Sequence, residues 1–523
     1  MGMKVTELAA LLCYFVLVLG IGVYFFFKDR KSGGNEKEYF LGGRNMNGWV
    51  SALSAGASDM SAWVLMGLPG CIYLLGIGQL WIAVGLLLGT IAAWLWVAPM
   101  LRRYSIAAGD AITIPQFLTN RFCTKRKGIM VISALVFVIT YCVYTASSLY
   151  ACGTLFNTVL GMNPKKAMII ASAVIVVYTF LGGFNAVCWT DFFQGMIMLG
   201  ALMLVPILAV TMMQGSTFTA PAVTLPENYY NVLSGGDFNW KSFSDIISGL
   251  GWGLGYFGMP HILIRYFSIK SEKEMNKSRI IGCSWLFLIL AATSVVGLVG
   301  RRFLGDALTK TKDAETLVFI NMVRSVFEWI GNNTGLVAVA AFCAGILLSA
   351  ILAAAMSTAD SQLLASASAF ASDLYKPLFR KNASDREMLW AGRIIVVVIA
   401  AVAFFIAASP SCKGIMGLVS CAWAGFGSAF GPVIILALFW KRMTYNGALA
   451  GIIVGFAVDA LWYAFMGWTA IYEIIPGFFA GMVATVVVSL LSEKPSAEVL
   501  AVYEKSRLKT VDSEETAAVA EEK

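Results

Sequence analysis

Long apolar runs alternate with short polar connections along the whole chain, and the run lengths point to one fold class. Most runs are about 20 residues or more, enough for a helix to cross a bilayer core. About thirteen such helices are predicted, with approximate limits 5–27, 46–74, 77–101, 128–159, 166–184, 190–213, 245–267, 280–300, 335–369, 394–409, 413–440, 446–467 and 469–491. The first is expected to be a retained span: it is too long for the apolar stretch of a signal peptide and is followed by Lys28, Arg30 and Lys31. Two runs are interrupted at mid-length. The second carries Ser54-Ala-Gly-Ala-Ser-Asp59-Met-Ser61, and the seventh carries Gly251-Trp-Gly-Leu-Gly-Tyr-Phe-Gly258-Met-Pro260. Broken helices at corresponding places in two halves point to an inverted-repeat transporter with its site at the midplane. The two breaks are five runs apart, an odd number, so the halves run in opposite directions across the membrane. The expected organisation is one transmembrane domain over 1–492, with core repeats at about 46–213 and 245–440, and a polar cytoplasmic tail over 493–523.

Composition agrees with an all-α integral membrane protein: 59% hydrophobic residues, 13% charged, and a mean hydropathy of +0.77. The net charge of +8 would suit a nucleic-acid partner if it were concentrated on one face. Instead the basic residues sit in clusters between apolar runs, such as Arg121/Lys125/Arg126/Lys127 and Lys270/Lys273/Lys277/Arg279. That placement orients a chain in its bilayer, and the positive-inside rule gives an outside N-terminus and an inside C-terminus. The ten cysteines have no paired spacing, so neither disulfides nor metal binding is expected. A single histidine and no Cys/His cluster argue against an intramembrane enzyme. The short tail argues against a receptor with a soluble output domain.

The chemistry is expected at the breaks. An ionisable group inside a bilayer marks a functional site by default, and Asp59 lies mid-run. Irregular backbone at that depth survives only where it is buried in protein or lines a cavity. In the ninth run Ala354, Ser357, Thr358 and Ser361 are three or four residues apart and share one helix face, which Asp360 borders. Oxygen-only donors suit a hard cation. Carbonyls freed at 57–60, with the Ser357 and Thr358 hydroxyls, could replace the water around a sodium ion. The fifth run ends at Trp189-Thr190-Asp191, placing another acid near the cytoplasmic side. Trp252, Tyr256 and Pro260, at intervals of four, with Tyr144 from the fourth run, fit a small, partly apolar ligand with a charged head. A proton-coupled carrier titrating at Asp59 or Asp191 is the alternative, and the neutral oxygen cage favours sodium over it. His261 is expected to be structural.

These residues resemble the solute:sodium symporter family, its bacterial sodium/proline branch above all. The resemblance rests on Leu41-Gly-Gly-Arg44, Ala52-Leu-Ser-Ala-Gly-Ala-Ser-Asp-Met-Ser61, Gly67-Leu-Pro-Gly70 and Gly251-Trp-Gly-Leu-Gly-Tyr-Phe-Gly258. It continues through Leu348-Ser-Ala-Ile-Leu-Ala-Ala354, Met356-Ser-Thr358, Ala422-Trp-Ala-Gly-Phe-Gly427 and Asn446-Gly-Ala-Leu-Ala-Gly451, covering about residues 38 to 500. It implies a leucine-transporter-type fold with a 5+5 inverted repeat, in the cytoplasmic membrane of a bacterium. It also implies a sodium site made by the carbonyls of Ala57, Met60 and Ala354 and the hydroxyls of Ser357 and Thr358. Arg44, Asp59 and Ser61 match family positions that support sodium coupling, and Tyr144, Trp252, Tyr256 and Pro260 match positions that recognise proline. Met259 stands where the proline branch often has Gln, so betaine or another small solute stays open as the substrate. In sialic-acid members the positions matching Asp191, Ser357, Asp360 and Ser361 surround a second sodium, which makes two sodium ions an expectation to test.

Overall fold

Apolar runs fold as helices here because lipid offers no hydrogen bonds, so each segment must satisfy its own backbone. The computed structural model describes residues 2–31, 36–215, 218–219, 221–311 and 316–508. Among these there is no strand, only one isolated bridge between Met46 and Ile269. The helices are α1 (Gly2–Lys31), α2 (Glu36–Leu41), α3 (Gly48–Asp59), α4 (Gly67–Leu75), α5 (Leu80–Ala92), α6 (Ala98–Ala107) and α7 (Ile114–Arg121). They continue as α8 (Gly128–Leu160), α9 (Pro164–Gln214), α10 (Trp240–Gly251), α11 (Pro260–Ser268), α12 (Glu272–Leu304) and α13 (Val318–Thr334). The remainder are α14 (Val337–Ser368), α15 (Asp385–Ala407), α16 (Gly414–Phe439), α17 (Tyr445–Phe465), α18 (Ile474–Leu491) and α19 (Ala497–Lys505).

Ten helical stretches among the described residues are long and apolar enough to cross a membrane. An eleventh is the pair Gly48–Asp59 and Ala62–Leu75, bent by 73°. The other two expected spans, 166–184 and 245–267, do not stand as separate long helices. The first is the leading part of α9, which runs on to Gln214 and is interrupted at Gly183. There φ is 56° and ψ is −170°, a conformation only glycine adopts without strain. The second is divided: α10 stops at Gly251, a 3-10 stretch covers Trp252–Phe257, and α11 restarts at Pro260. Proline suits that first helical position because its missing N–H would have no intrahelical partner.

Three boundaries differ from expectation. The ninth span continues past 369 as a π-helical stretch, Ala369–Phe379, that absorbs Pro377. The connection after α12, between the spans expected at 280–300 and 335–369, contains α13 with one buried apolar face. The tail, expected to be solvated, places α19 against the core: Val499 and Tyr503 are buried, and the Tyr503 hydroxyl donates to the Phe439 carbonyl at 3.2 Å. The rest of the expected tail, 509–523, lies outside the described residues.

Helix α14 is the central post. Every residue from Leu348 to Ser368 is buried, and the helix packs on α1, α8, α9 and α13. Helix α3 lies between α9, α11 and α12, while α16 packs on α8, α17, α18 and the 252–257 stretch. The two breaks are thereby held inside the molecule.

Candidate functional site

Helix α3 ends at Asp59, where Met60 leaves helical geometry (φ −79°, ψ 69°) and Ser61 is extended. The turn frees the carbonyls just before it. Ser357 of α14 donates to the Ala57 carbonyl at 2.9 Å and lies 3.1 Å from the Ala354 carbonyl. The neighbouring Thr358 hydroxyl is buried with no hydrogen-bond partner. Four of the five oxygens expected for sodium thus belong to two helices in direct contact at the break, and an unpartnered buried hydroxyl costs roughly 1–3 kcal/mol unless something binds it. Met60 is buried at the turn, and none of its contacts with the other four is a hydrogen bond. Hard oxygen donors of this kind fit a sodium ion.

Asp59 faces the other break. The Tyr256 hydroxyl donates to Asp59 Oδ2, the other carboxylate oxygen is buried without a partner, and Trp63 Nε1 donates to the Asp59 carbonyl at 3.3 Å. Ser61 and Tyr144 also keep buried, unpartnered hydroxyls, and Tyr144 lies beside Ser61 within electrostatic reach of Asp59. Trp252 and Tyr256 are walls of an aromatic box that includes Trp63, 6.2 Å from Trp252, and Trp423, 5.2 Å from Tyr256, by ring centroids. Trp423 Nε1 donates to the Trp252 carbonyl at 2.7 Å. This approach requires Gly255: a Cβ there would sit 2.0 Å from Trp423 Nε1. Pro260 is buried at the first position of α11, four residues after Tyr256.

A second polar cluster is built around Arg265 of α11, which the sequence reading passed over. Arg265 is fully buried. Its Nη2 donates to Asp191 at 3.2 Å and to the Ser361 hydroxyl, Nε to the Ser54 hydroxyl at 3.1 Å, and Nη1 to the His261 carbonyl. Ser54 in turn donates to Asp191 at 2.7 Å. Asp191 lies well past the break at Gly183, inside the second part of α9, so it is deep in the protein rather than at a span end. Two of the residues expected around a second sodium, Asp191 and Ser361, are therefore joined through a guanidinium; Asp360 is buried beside them on α14. The missed signal was plain: Arg265 is a charge inside an apolar run, which is expensive enough to demand an explanation.

Arg44 is not part of the cage. Helix α3 separates it from Asp59 by about 18 Å at 1.5 Å per residue. It sits in left-handed backbone (φ 55°) and bonds to Asp110 at 2.8 Å, Ser105 at 3.1 Å and the carbonyls of Phe267 and Ala111 at 2.7 and 3.0 Å. It ties the start of α3 to the end of α11 and to the α6–α7 connection. Burial opposes ionisation of Asp110, but Arg44 and Lys37 beside it outweigh that and hold its carboxyl below the usual range. His261 is buried with Nδ1 3.4 Å from the Tyr141 hydroxyl, a structural contact.

The chain is similar to known proteins. The high-affinity proline transporter PutP of Bacillus subtilis is 44% identical over 470 residues, covering 90% of this chain and 95% of that protein. The sodium/proline symporter of Escherichia coli is 44% identical over 474 residues, 89% of this chain and 90% of the other. A solved Na+-coupled sialic acid symporter in a substrate-bound outward-open state superimposes with a TM-score of 0.71 at 20% identity, over 94% of this chain and 99% of that one. MhsT in complex with L-phenylalanine gives 0.51 at 12% identity, over 85% and 97%. Those two likenesses establish a shared transporter fold. A model of the sodium:solute symporter family matches residues 39–455, and the chain belongs to that family.

Proposed function

We propose that this protein takes up L-proline together with sodium across a bacterial cytoplasmic membrane by alternating access. The observation that carries the mechanism is the contact between the two breaks: the Ser357 hydroxyl bridges the carbonyls of Ala57 and Ala354, and Asp59, two residues on, is bonded to Tyr256. The identity with named sodium/proline symporters supports proline as the solute.

Sodium is held by the carbonyls of Ala57, Met60 and Ala354 and the hydroxyls of Ser357 and Thr358. Its binding fixes the end of α3 and with it Asp59 and Ser61. The Asp59–Tyr256 bond passes that order to the aromatic box, where proline's ring rests against Trp252, Tyr256 and Tyr144. Its charged groups are answered by the free carboxylate oxygen of Asp59 and the backbone opened before Pro260. Arg44 contributes to coupling from a distance, by holding α3 and α11 together at the far end. The energetics suffice. One positive charge at 100 mV supplies about 2.3 kcal/mol and a tenfold sodium gradient about 1.4 kcal/mol, which together sustain a several-hundred-fold accumulation of proline at one sodium per solute. One sodium is the reading that Arg265 supports, because a second at Asp191, Asp360 and Ser361 would share its acid with a guanidinium; sodium dependence with a Hill coefficient near two would overturn it. In topology, the chain reads as thirteen spans with inverted five-helix repeats at about 46–213 and 245–440 in one domain over 1–492, N-terminus outside and C-terminus inside.

The test is uptake of labelled L-proline into proteoliposomes under equal inward gradients of sodium, potassium or protons. Uptake that requires sodium and is lost in Asp59→Ala supports the proposal. Sodium-dependent uptake of betaine in place of proline would keep the mechanism and change the solute, and uptake driven by protons alone would sink the sodium cage.

A further inference from the structure

The aromatic box has a wall that comes from outside the matched family region. Tyr472 lies between α17 and α18, beyond residue 455. Its ring lies 5.1 Å from that of Trp252, inclined by 31°, and both side chains are nearly withdrawn from the surface, Tyr472 at 9% and Trp252 at 6% exposure. The position is fixed from three directions. The Tyr472 hydroxyl donates to the Ser420 carbonyl of α16 at 2.7 Å. Its backbone N–H donates to the Ser248 hydroxyl of α10 at 3.0 Å, and that hydroxyl lies 3.2 Å from the Ala470 carbonyl. Around it, Trp240 Nε1 holds the Thr469 carbonyl at 3.2 Å and Trp462 Nε1 holds the Ile471 carbonyl at 3.1 Å. Ala470 takes left-handed backbone (φ 56°), which turns the chain back over the box.

A connection whose only duty was to join two helices would need none of this. Two indole N–H groups and a serine hold it down, and the residue placed at its tip is stacked on the aromatic side chain at the second break. We propose that Tyr472 is a specificity-determining residue of the solute site: its ring closes the box over Trp252 on the side where α10 ends, and the 466–473 connection is a lid held to α10 and α16. This rests on the reading that Trp252 lines the proline site. The lid is tied to the helix before the break through Ser248 and to the helix that carries Trp423 through Ser420. Closing it therefore completes the apolar enclosure of a small ring-bearing solute without touching the sodium oxygens.

The two contributions separate by substitution. Tyr472→Leu keeps apolar bulk and removes the aromatic face, and Tyr472→Phe removes only the bond to Ser420. Proline uptake and sodium activation are measured in proteoliposomes for both variants and for Trp252→Ala, each normalised to reconstituted protein. The expected result for Tyr472→Leu is a KM for proline raised about three- to tenfold, the worth of one aromatic contact. Maximal rate and sodium half-saturation should stay within about twofold, and Tyr472→Phe should lie between Tyr472→Leu and the unsubstituted protein. A KM unchanged in Tyr472→Leu, or a maximal rate and sodium half-saturation that shift with it, overturns the proposal by making Tyr472 a packing residue. Should Trp252→Ala leave the KM for proline unmoved, the site reading itself fails; a KM that moves in Trp252→Ala but not in Tyr472→Leu removes the lid alone.

Discussion

At the scale of residues, the cage and the Arg265 cluster make opposite demands on their surroundings. In the proposed sodium cage the oxygens work by being under-satisfied. Thr358 carries a buried hydroxyl with no partner, and Ser357 is shared between two carbonyls that already belong to helices. Removing one oxygen therefore costs ion binding more than folding. Ser357→Ala and Thr358→Ala should each raise the sodium concentration for half-maximal uptake by about tenfold or more, since an oxygen bonded to a charged partner is worth roughly 1.5–3 kcal/mol. A sodium activation curve that does not move in Thr358→Ala would remove it from the cage. Arg265 is the reverse case, a fully bonded cation whose loss strands Asp191. Arg265→Met should lower stability by about 3–5 kcal/mol, and Arg265→Met with Asp191→Asn should recover part of that loss because no charge is left unpaired. Thermal unfolding in detergent checks this, and a double variant no better than the single one would contradict it.

At the scale of elements, the breaks are where the sequence was most readable. Glycine, hydroxyl and acid in the middle of an apolar run gave away the turn after Asp59, and Gly251–Pro260 gave away the division of the seventh span. What escaped reading was everything decided by a distant partner. The break in α9 at Gly183 falls where the expected fifth span ends, but Asp191 lies eight residues beyond it, in the interior and not at a span end. Arg265 looked like one more basic residue until Asp191, Ser54 and Ser361 surrounded it. Trp423 was visible only as part of a motif; its role depends on Gly255, which lets the indole reach the Trp252 carbonyl. Gly255→Ala places a carbon on that indole and should abolish proline binding while the protein still folds, because the clash is local. Proline affinity by equilibrium binding on purified protein measures this, and normal affinity in Gly255→Ala would show that the close approach is dispensable. Arg44 was grouped with Asp59 by resemblance, yet α3 holds the two at opposite ends.

At the scale of the whole molecule, those two ends are what alternating access requires. One end of α3 meets α14 and the 3-10 stretch, and the other is strapped by Arg44 to α11 and to Asp110. The Asp110 carboxyl, held low by Arg44 and Lys37 against its own burial, stabilises the strap above the ordinary carboxylate range and releases it as pH falls through that lowered value. Asp110→Asn should imitate the acid form at neutral pH, speeding hydrogen exchange over residues 108–113, and unchanged exchange there would mean the strap carries no load. In the proposed mechanism, sodium and proline sense each other through the bond between Asp59 and Tyr256. Linkage requires each ligand to alter the affinity for the other by the same factor. The most direct measurement is the dissociation constant of proline across a sodium titration, in the unsubstituted protein and in Tyr256→Phe. Sodium should tighten proline binding in the former, and Tyr256→Phe should flatten this dependence toward zero. Proline binding that responds to sodium as steeply in Tyr256→Phe as in the unsubstituted protein would contradict it.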